Sequence, residues 1–460
     1  MTAGAVWLAG WIALPVLGAP LLSHPIYRSF SRPTRAVLAG AVGAVVLSFC
    51  MTIVALAGLP WAPLPLAVVS TAITWGLRLT VGGAATRVPL AEPEIVAARL
   101  LSGAAVGTAL LATLGGAAGS SDLLLFWGPK AQAFAAARTI DAGFLASAAA
   151  SHMHPYYPPL VSNVDALATM LAGRFPWSAA TLTFPLLLAA LAIALPSLLR
   201  RGGPSLGAGA IAALIVSTLA LLGAEADVAG NADPVLWLFE ILGLALLLSP
   251  PPIEAPRLLL AGILLAGAAA AKVEGLPFAA AAGVFFLLGA PRGSRRARDA
   301  ALVLGPTALT LSAWFLFGLS RNAFATYGEY GSLFGLRFDR LGMVLREIER
   351  SFGDTGFALP YLVPLAVWLL CGMRGVRRLP LAVAAALAAF LLATYLLPVP
   401  DPSRWIAWSA GRTFAPIPVL LALSLSGSER GVEPGQTSRA SVSRSVAPEI
   451  QRPATNELGQ

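Results

Sequence analysis

Residues 177–201 read WSAATLTFPLLLAALAIALPSLLRR. No charge interrupts the stretch from Trp177 to Leu199, and Arg200 and Arg201 end it. About 20 apolar residues let an α-helix cross the hydrocarbon core of a bilayer. Unbroken Leu and Ala, with no alternation of polar and apolar positions, exclude a barrel strand. The arginine pair assigns the end of this span to the cytoplasmic side.

Working outward, the same pattern recurs along the chain. Spans are expected near 4–23, 35–58, 60–77, 97–117, 177–199, 206–223, 233–249, 257–271, 275–290, 300–320, 357–373, 379–398 and 412–426. Pro and Gly shorten or interrupt the third, sixth and eighth. The expected fold is therefore all-α, a polytopic transmembrane helical bundle of about 11–13 spans. Composition agrees. The chain is 57% hydrophobic and 12% charged, roughly half the charge of a soluble protein.

Charge sets the orientation. The segment Met1 to Pro20 lacks the basic start of a signal peptide, since the first cation is Arg28, so the first span is read with its N-terminus outside. On that layout the inner loops and tail hold 20 of the 31 cations against 8 acids, and the outer loops hold 11 cations against 13 acids. This is the positive-inside pattern, loop by loop. The basic residues are scattered over short loops, which argues against a nucleic-acid partner. Cys50 and Cys371 both sit in apolar runs without metal-ligand spacing, and read as buried small side chains.

Three regions are expected: residues 1–96, N-terminal transmembrane helices; residues 97–426, a transmembrane core with long outer loops at 118–176 and 321–356; and residues 427–460, a disordered cytoplasmic tail rich in Ser, Arg, Glu, Pro and Gly. The outer loops are expected to carry short interfacial helices. One is Leu336 to Phe352, with Leu341, Val344, Leu345, Ile348 and Phe352 at helical spacing and Arg337, Arg340, Arg346 and Arg350 among them. It either lies flat on the outer leaflet or packs on the rest of the protein.

Ionisable groups at membrane depth are expensive and point to function. Here they collect at span ends on the outer side: Asp122; Glu225, Asp227 and Asp233; Lys272 and Glu274; and Asp401, Arg404 and Arg412. Lys130 and Lys272 are the only lysines in the chain. Simpler roles compete with chemistry. Asp122 and Asp233 suit helix N-caps, and Lys272 suits a snorkelling lysine. Glu240 lies seven residues beyond Asp233 on the same helical face. His152 and His154 form a His-x-His pair with no further ligand cluster nearby in sequence.

The order of these elements resembles the GT-C superfamily of membrane glycosyltransferases, including protein O-mannosyltransferases and the aminoarabinose transferases of lipid A. The resemblance lies in Asp122 just outside a span, the aromatic segment after it, and Tyr157-Pro158-Pro159-Leu160. Further pieces are Gly230-Asn231-Ala232-Asp233-Pro234 opening an apolar helix, Ala271-Lys272-Val273-Glu274-Gly275-Leu276-Pro277 with a Lys-x-Glu-Gly motif, and Arg412-Thr413-Phe414-Ala415-Pro416. Two departures stand out. Three extra helices precede the first acidic loop, and the usual acidic pair is reduced to Asp122.

The resemblance implies transfer of a sugar from a polyprenyl-phosphate carrier to a glycan, lipid or protein acceptor, at the non-cytoplasmic face of a bacterial plasma membrane. Asp122 would be the base, and Lys272, Arg404 and Arg412 would hold the donor phosphate. Trp127, Lys130, Tyr156, Tyr157, Asp233 and Glu274 would contact substrate. A divalent metal is an alternative electrophile, with Asp122, Asp233, His152 and His154 as candidate ligands. The rival class is a secondary transporter or flippase, which Glu240 favours. A non-enzymatic membrane scaffold is a weaker third reading. Topology has a direct test: a cysteine placed at Ser151 should react with an impermeant reagent from outside, and one at Gly293 should be spared. The reverse pattern would overturn the orientation.

Overall fold

The computed structural model describes residues 2–81, 96–116, 120–199, 207–225, 228–249, 253–289, 295–324, 335–353, 355–371, 377–398 and 401–427. Asp227, the side chains of Glu225 and Cys371, and the tail assigned to 427–460 beyond Gly427 lie outside the described residues. The described chain is a helical bundle. Its longer helices are α1 (Ala3–Leu22), α2 (Arg32–Leu56), α3 (Pro63–Thr80), α4 (Val96–Gly115), α5 (Gly128–Ala137), α6 (Leu160–Ala172), α7 (Thr183–Leu199), α8 (Ala208–Glu225) and α9 (Asp233–Leu247). They continue with α10 (Ala255–Ala271), α11 (Gly275–Gly289), α12 (Arg296–Ser320), α13 (Leu341–Gly353), α14 (Thr355–Cys371), α15 (Arg378–Tyr395), α16 (Pro402–Thr413) and α17 (Pro416–Ser424).

Each span expected from the sequence coincides with one of these helices, the last being split between α16 and α17. Seven helices among the described residues are long and apolar enough to cross a membrane alone, or eight if the bent pair Phe338–Gly353 and Ala358–Leu370 counts as one span. Large apolar side chains on α3, α4 and α14, such as Leu64, Leu79, Leu100, Leu111, Leu359 and Leu370, are exposed. In an integral membrane protein they face lipid, which asks nothing polar of them.

The interior is built differently. Every residue of α9 is buried, and so is nearly every residue of α10. Helices apolar all round belong in the core. α9 and α11 have 15 residues and α10 has 17. Fifteen residues reach about 22 Å, against a hydrocarbon core of about 30 Å. A helix of this length that starts at one surface ends inside the protein, and the start of α9 and the α10–α11 junction are buried.

Loop contacts sort the helix ends into two sets. At one end Tyr27 Oη donates to Pro256 O, Arg257 Nη2 to Ser29 Oγ, and Arg377 N to Ser424 O. At the other, Trp61 N donates to Arg138 O, Ser120 N to Ala229 O, and Arg337 N to Leu396 O. Trp314 Nε1 also donates to Tyr156 O, and Arg321 Nη2 to Leu56 O. Each of these bonds joins segments that the charge pattern assigned to one side. The first set is the arginine-rich end, and the second is the site end.

Two segments read as outer loops are packed pieces of the bundle. α6 lies against α1, α2 and α5. Its Asp165 accepts from Trp11 Nε1 at 3.0 Å, and Asn163 Nδ2 donates to Ser48 Oγ at 3.1 Å. α13 does not lie flat on lipid by its apolar face. That face covers α16 and the end of α15, with Val344 buried among Tyr395, Leu396, Ile406 and Ala410.

α1 and α2 cross closely because of two glycines. A Cβ on Gly18 would run into Ala39 O, and one on Gly43 into Leu14 O, both backbone atoms that cannot move aside. Small residues at such crossings let backbones meet. Gly43→Val should therefore lower stability by about 1–3 kcal/mol through overpacking. A drop in melting temperature in detergent would show it; an unchanged melt would mean that the crossing tolerates separation.

Candidate functional site

Asp122 does not cap a helix with its side chain. Ser120 takes that part, its Oγ accepting from Leu123 N at 3.2 Å. A wide π-turn follows over Leu123–Trp127, closed by Gly128 N onto Leu123 O. Such turns redirect side chains at functional places. Freed from capping, the Asp122 carboxylate is buried at 5% exposure and takes a hydrogen bond from Arg412 Nη1 through Oδ2. Its Oδ1 has no partner among the described residues.

Asp233 opens α9, and again the cap is a neighbour: Asn231 Oδ1 accepts from Asp233 N at 2.8 Å. The Asp233 side chain receives Lys272 Nζ at 2.8 Å on Oδ1, and Arg412 Nη1 stands 3.7 Å from Oδ2. Lys272 also lies 3.5 Å from Glu274. It ends α10 in extended backbone, and α11 starts three residues later. A Cβ on Gly275 would strike Ala268 O, so the sharp α10–α11 turn needs glycine there. That is the physical content of the Lys-x-Glu-Gly motif. Lys272 is only 4% exposed, a paired buried cation rather than a snorkelling one.

Arg412 comes from the last turn of α16. Tyr361 Oη donates to Gly411 O at 3.0 Å, and Tyr395 Oη shares hydrogen bonds of 2.9 Å with Ser409 and Thr413. These two tyrosines fix the turn that carries the guanidinium. No sequence signal marks them, because an apolar helix does not tell where a phenol points. Arg404, two turns earlier, is exposed and stands apart from the network, its N–H bonded to Asp401 Oδ1 at 3.0 Å.

The outcome is one ion network in which Asp122, Asp233 and Glu274 oppose Lys272 and Arg412. A narrow cleft opens on it, lined by Asp233, Glu240, Lys272, Glu274, Arg412 and Thr413, with Leu236 and Trp237 adjoining. Glu240 is buried two helical turns along from Asp233, with Oε2 unpartnered among the described residues. The carboxylates outnumber the cations, so neither Lys272 nor Arg412 is a free positive charge.

A second cluster adjoins the first. Lys130 Nζ donates to His154 O at 2.8 Å and lies 5.3 Å from the Trp127 ring and 5.9 Å from that of Tyr157. His154 stacks on Tyr157 at 4.8 Å, and its Nδ1 is 3.2 Å from Tyr156 Oη. Burial pulls the Lys130 amine down to about 7. Burial first, then the charges of Lys130, Lys272 and Arg412, push His154 down to about 3. That imidazole is therefore neutral at physiological pH. His152 is exposed. Among the described residues no three His, Cys, Asp or Glu gather as a metal site, so Asp122, Asp233, His152 and His154 are not assigned as ligands.

No family model matches the chain, and neither curated proteins nor solved structures yield a match. The geometry stands on its own and has its own test. Removing one partner of a buried ion pair leaves an uncompensated charge, at about 3–5 kcal/mol. Lys272→Met should show such a loss in a detergent melt, and Asp233→Asn in the same chain should recover part of it, as coupled sites do. Strict additivity would mean that the two groups do not interact.

Proposed function

We propose that this protein is a membrane glycosyltransferase that moves a sugar from a polyprenyl-phosphate carrier to an acceptor at the non-cytoplasmic face. One observation carries the reading. The four motif pieces that resemble GT-C enzymes, scattered from Asp122 to Pro416, contribute Asp122, Asp233, Lys272, Glu274 and Arg412 to a single ion network. The network lies at the end of the bundle opposite the arginine-rich loops, and the positive-inside rule makes that end non-cytoplasmic.

The chemistry needs a base for an acceptor hydroxyl and positive charge beside a leaving phosphate. Asp122 offers Oδ1, which holds no hydrogen bond among the described residues, as the proton acceptor. As the acceptor oxygen bonds to the anomeric carbon, the bond from that carbon to the carrier phosphate breaks. The electron pair stays on phosphate, and its charge goes from −1 to −2. Arg412 suits a phosphate through its planar fork, but in the resting site it is held by Asp122 and Asp233. A phosphate that takes Arg412 therefore releases Asp122, so donor binding and base activation are one exchange of ion-pair partners.

Glu240 favours a second reading, a secondary transporter, because a buried carboxylate along a span suits proton coupling. Purified protein given labelled polyprenyl-phosphate sugars separates the two. Release of sugar-free carrier supports the transferase; uptake of substrate into sealed vesicles without carrier turnover supports the transporter. For the transferase, Asp122→Asn should lower turnover about 10²- to 10⁴-fold with the protein still inserted. It should bind sugar-free carrier phosphate at least as tightly as before, since Arg412 is no longer shared. Near-normal turnover by that variant would remove Asp122 from the base role.

A further inference from the structure

Both cations of the ion network face carboxylates already, and a phosphate arriving there must displace one. Lys130 is in a different position. It is 3% exposed, burial is the sole influence resolved on its charge, and no carboxylate pairs with it among the described residues. One N–H goes to His154 O, and the rest of the ammonium has the faces of Trp127 and Tyr157. Aromatic faces attract a cation, yet leave its remaining donors available to an oxygen anion.

The place is also right. Asp122, bonded to Arg412, is followed by the π-turn that ends at Trp127, whose ring is 6.1 Å from that of Tyr157, and His154 feels the charges of Lys272 and Arg412. The Tyr157–His154 stack is thus shared between Lys130 and the network. A lysine amine buried without a counter-ion exists partly as the neutral form, and gains its proton when an anion arrives.

Resting on the glycosyl-transfer reading, we propose that Lys130, walled by Trp127, Tyr157 and His154, is a binding residue for the carrier phosphate and takes up a proton as that phosphate gains charge. No covalent bond forms at Lys130. The proton comes from water, the acceptor's own proton goes to Asp122, and the ammonium answers the second negative charge left on the carrier oxygen. Lys130 then serves the leaving group, while Arg412 serves the exchange that frees the base.

The titratable groups around Lys130 are few. Just before the π-turn there is Asp122; on the following segment His152, His154, Tyr156 and Tyr157; on α6 Asp165, which bonds Trp11; across the stack, Lys272 and Arg412. His154 is held near 3 and stays neutral in the range used below.

The test is equilibrium binding of sugar-free polyprenyl phosphate to the full chain between pH 7.5 and 9. A phosphate monoester titrates near pH 6, so the ligand stays a dianion. A group whose bound value lies above its free value of about 7 takes up a proton on binding, and affinity falls as pH rises towards the bound value. Wild-type affinity should fall about tenfold over the range. Lys130→Arg should bind with no slope, and Lys130→Met should bind about ten- to a hundred-fold more weakly at pH 7.5, also without slope. Neutral polyprenol should bind all three alike. Wild-type affinity and slope in Lys130→Met would overturn the proposal. If that variant fails to fold, a wild-type slope in Lys130→Arg overturns it instead. A folded wild-type protein that ignores carrier phosphate would sink the glycosyl-transfer reading and this proposal together; carrier binding without dependence on Lys130 sinks this proposal alone.

Discussion

Everything at the site end depends on one constraint: five charges, three of them buried and two partly so, must find one another. An isolated buried charge costs several kcal/mol, and only close pairing with satisfied hydrogen bonds offsets it. Asp122, Asp233, Lys272, Glu274 and Arg412 come from four separate turns, so those turns must arrive together. The bond from Ser120 N to Ala229 O ties two of them, the glycine turn at Gly275 sharpens a third, and Tyr361 and Tyr395 fix the fourth. The apolar residues of α9 and α10 lower the local dielectric, which strengthens each pair and raises the penalty for any missing member.

The short helices explain why the charges are deep at all. α9 and α11 are too short to run from one surface of a bilayer to the other, and the ends that carry Asp233 and Gly275 are buried within the protein. Backbone ends at that depth are tolerated only where protein or a polar cavity satisfies them. Asn231 does this at Asp233 N. The charged side chains are thereby released from capping duty and turned towards each other. The same logic applies at Ser120 and Asp122.

Much of this was legible in the sequence, and the reason is physical. Hydropathy and charge act locally, so the spans and the two sets of loops follow from runs of residues such as 177–201. Direction of side chains is not local. Asp122 and Asp233 sit where N-caps belong, and only the structure shows Ser120 and Asn231 in that part. Arg404 and Arg412 occupy one segment with equal claims, yet one is exposed and the other lies 290 positions from its partner Asp122. The segment of α13 reads as an amphipathic outer-loop helix, but amphipathic character does not say whether lipid or protein covers the apolar face. The acid-rich balance of the network was equally hidden, since it depends on which charges meet.

That balance bears on the order of events in the proposed reaction. Lys272 sits between two carboxylates and Arg412 between two, with Asp233 common to both. A phosphate cannot add to such an arrangement without adding to its negative excess. It can exchange with Asp122, the carboxylate that reaches the network through Arg412 alone among the ion pairs described. Asp233 and Glu274 are also tied to Lys272 and stay. With Asp122 displaced, the acceptor proton neutralises that carboxylate as the leaving phosphate gains its second charge, so the total charge of the site does not change during the transfer. Charge conservation in a low-dielectric site thus links the arrival of donor to the use of the base, with no moving lid required. A donor without an acceptor meets a base that has been released but has nothing to deprotonate except water, and burial of Asp122 limits that water. The same burial that makes the network costly would in this way restrain wasteful hydrolysis of the carrier-linked sugar.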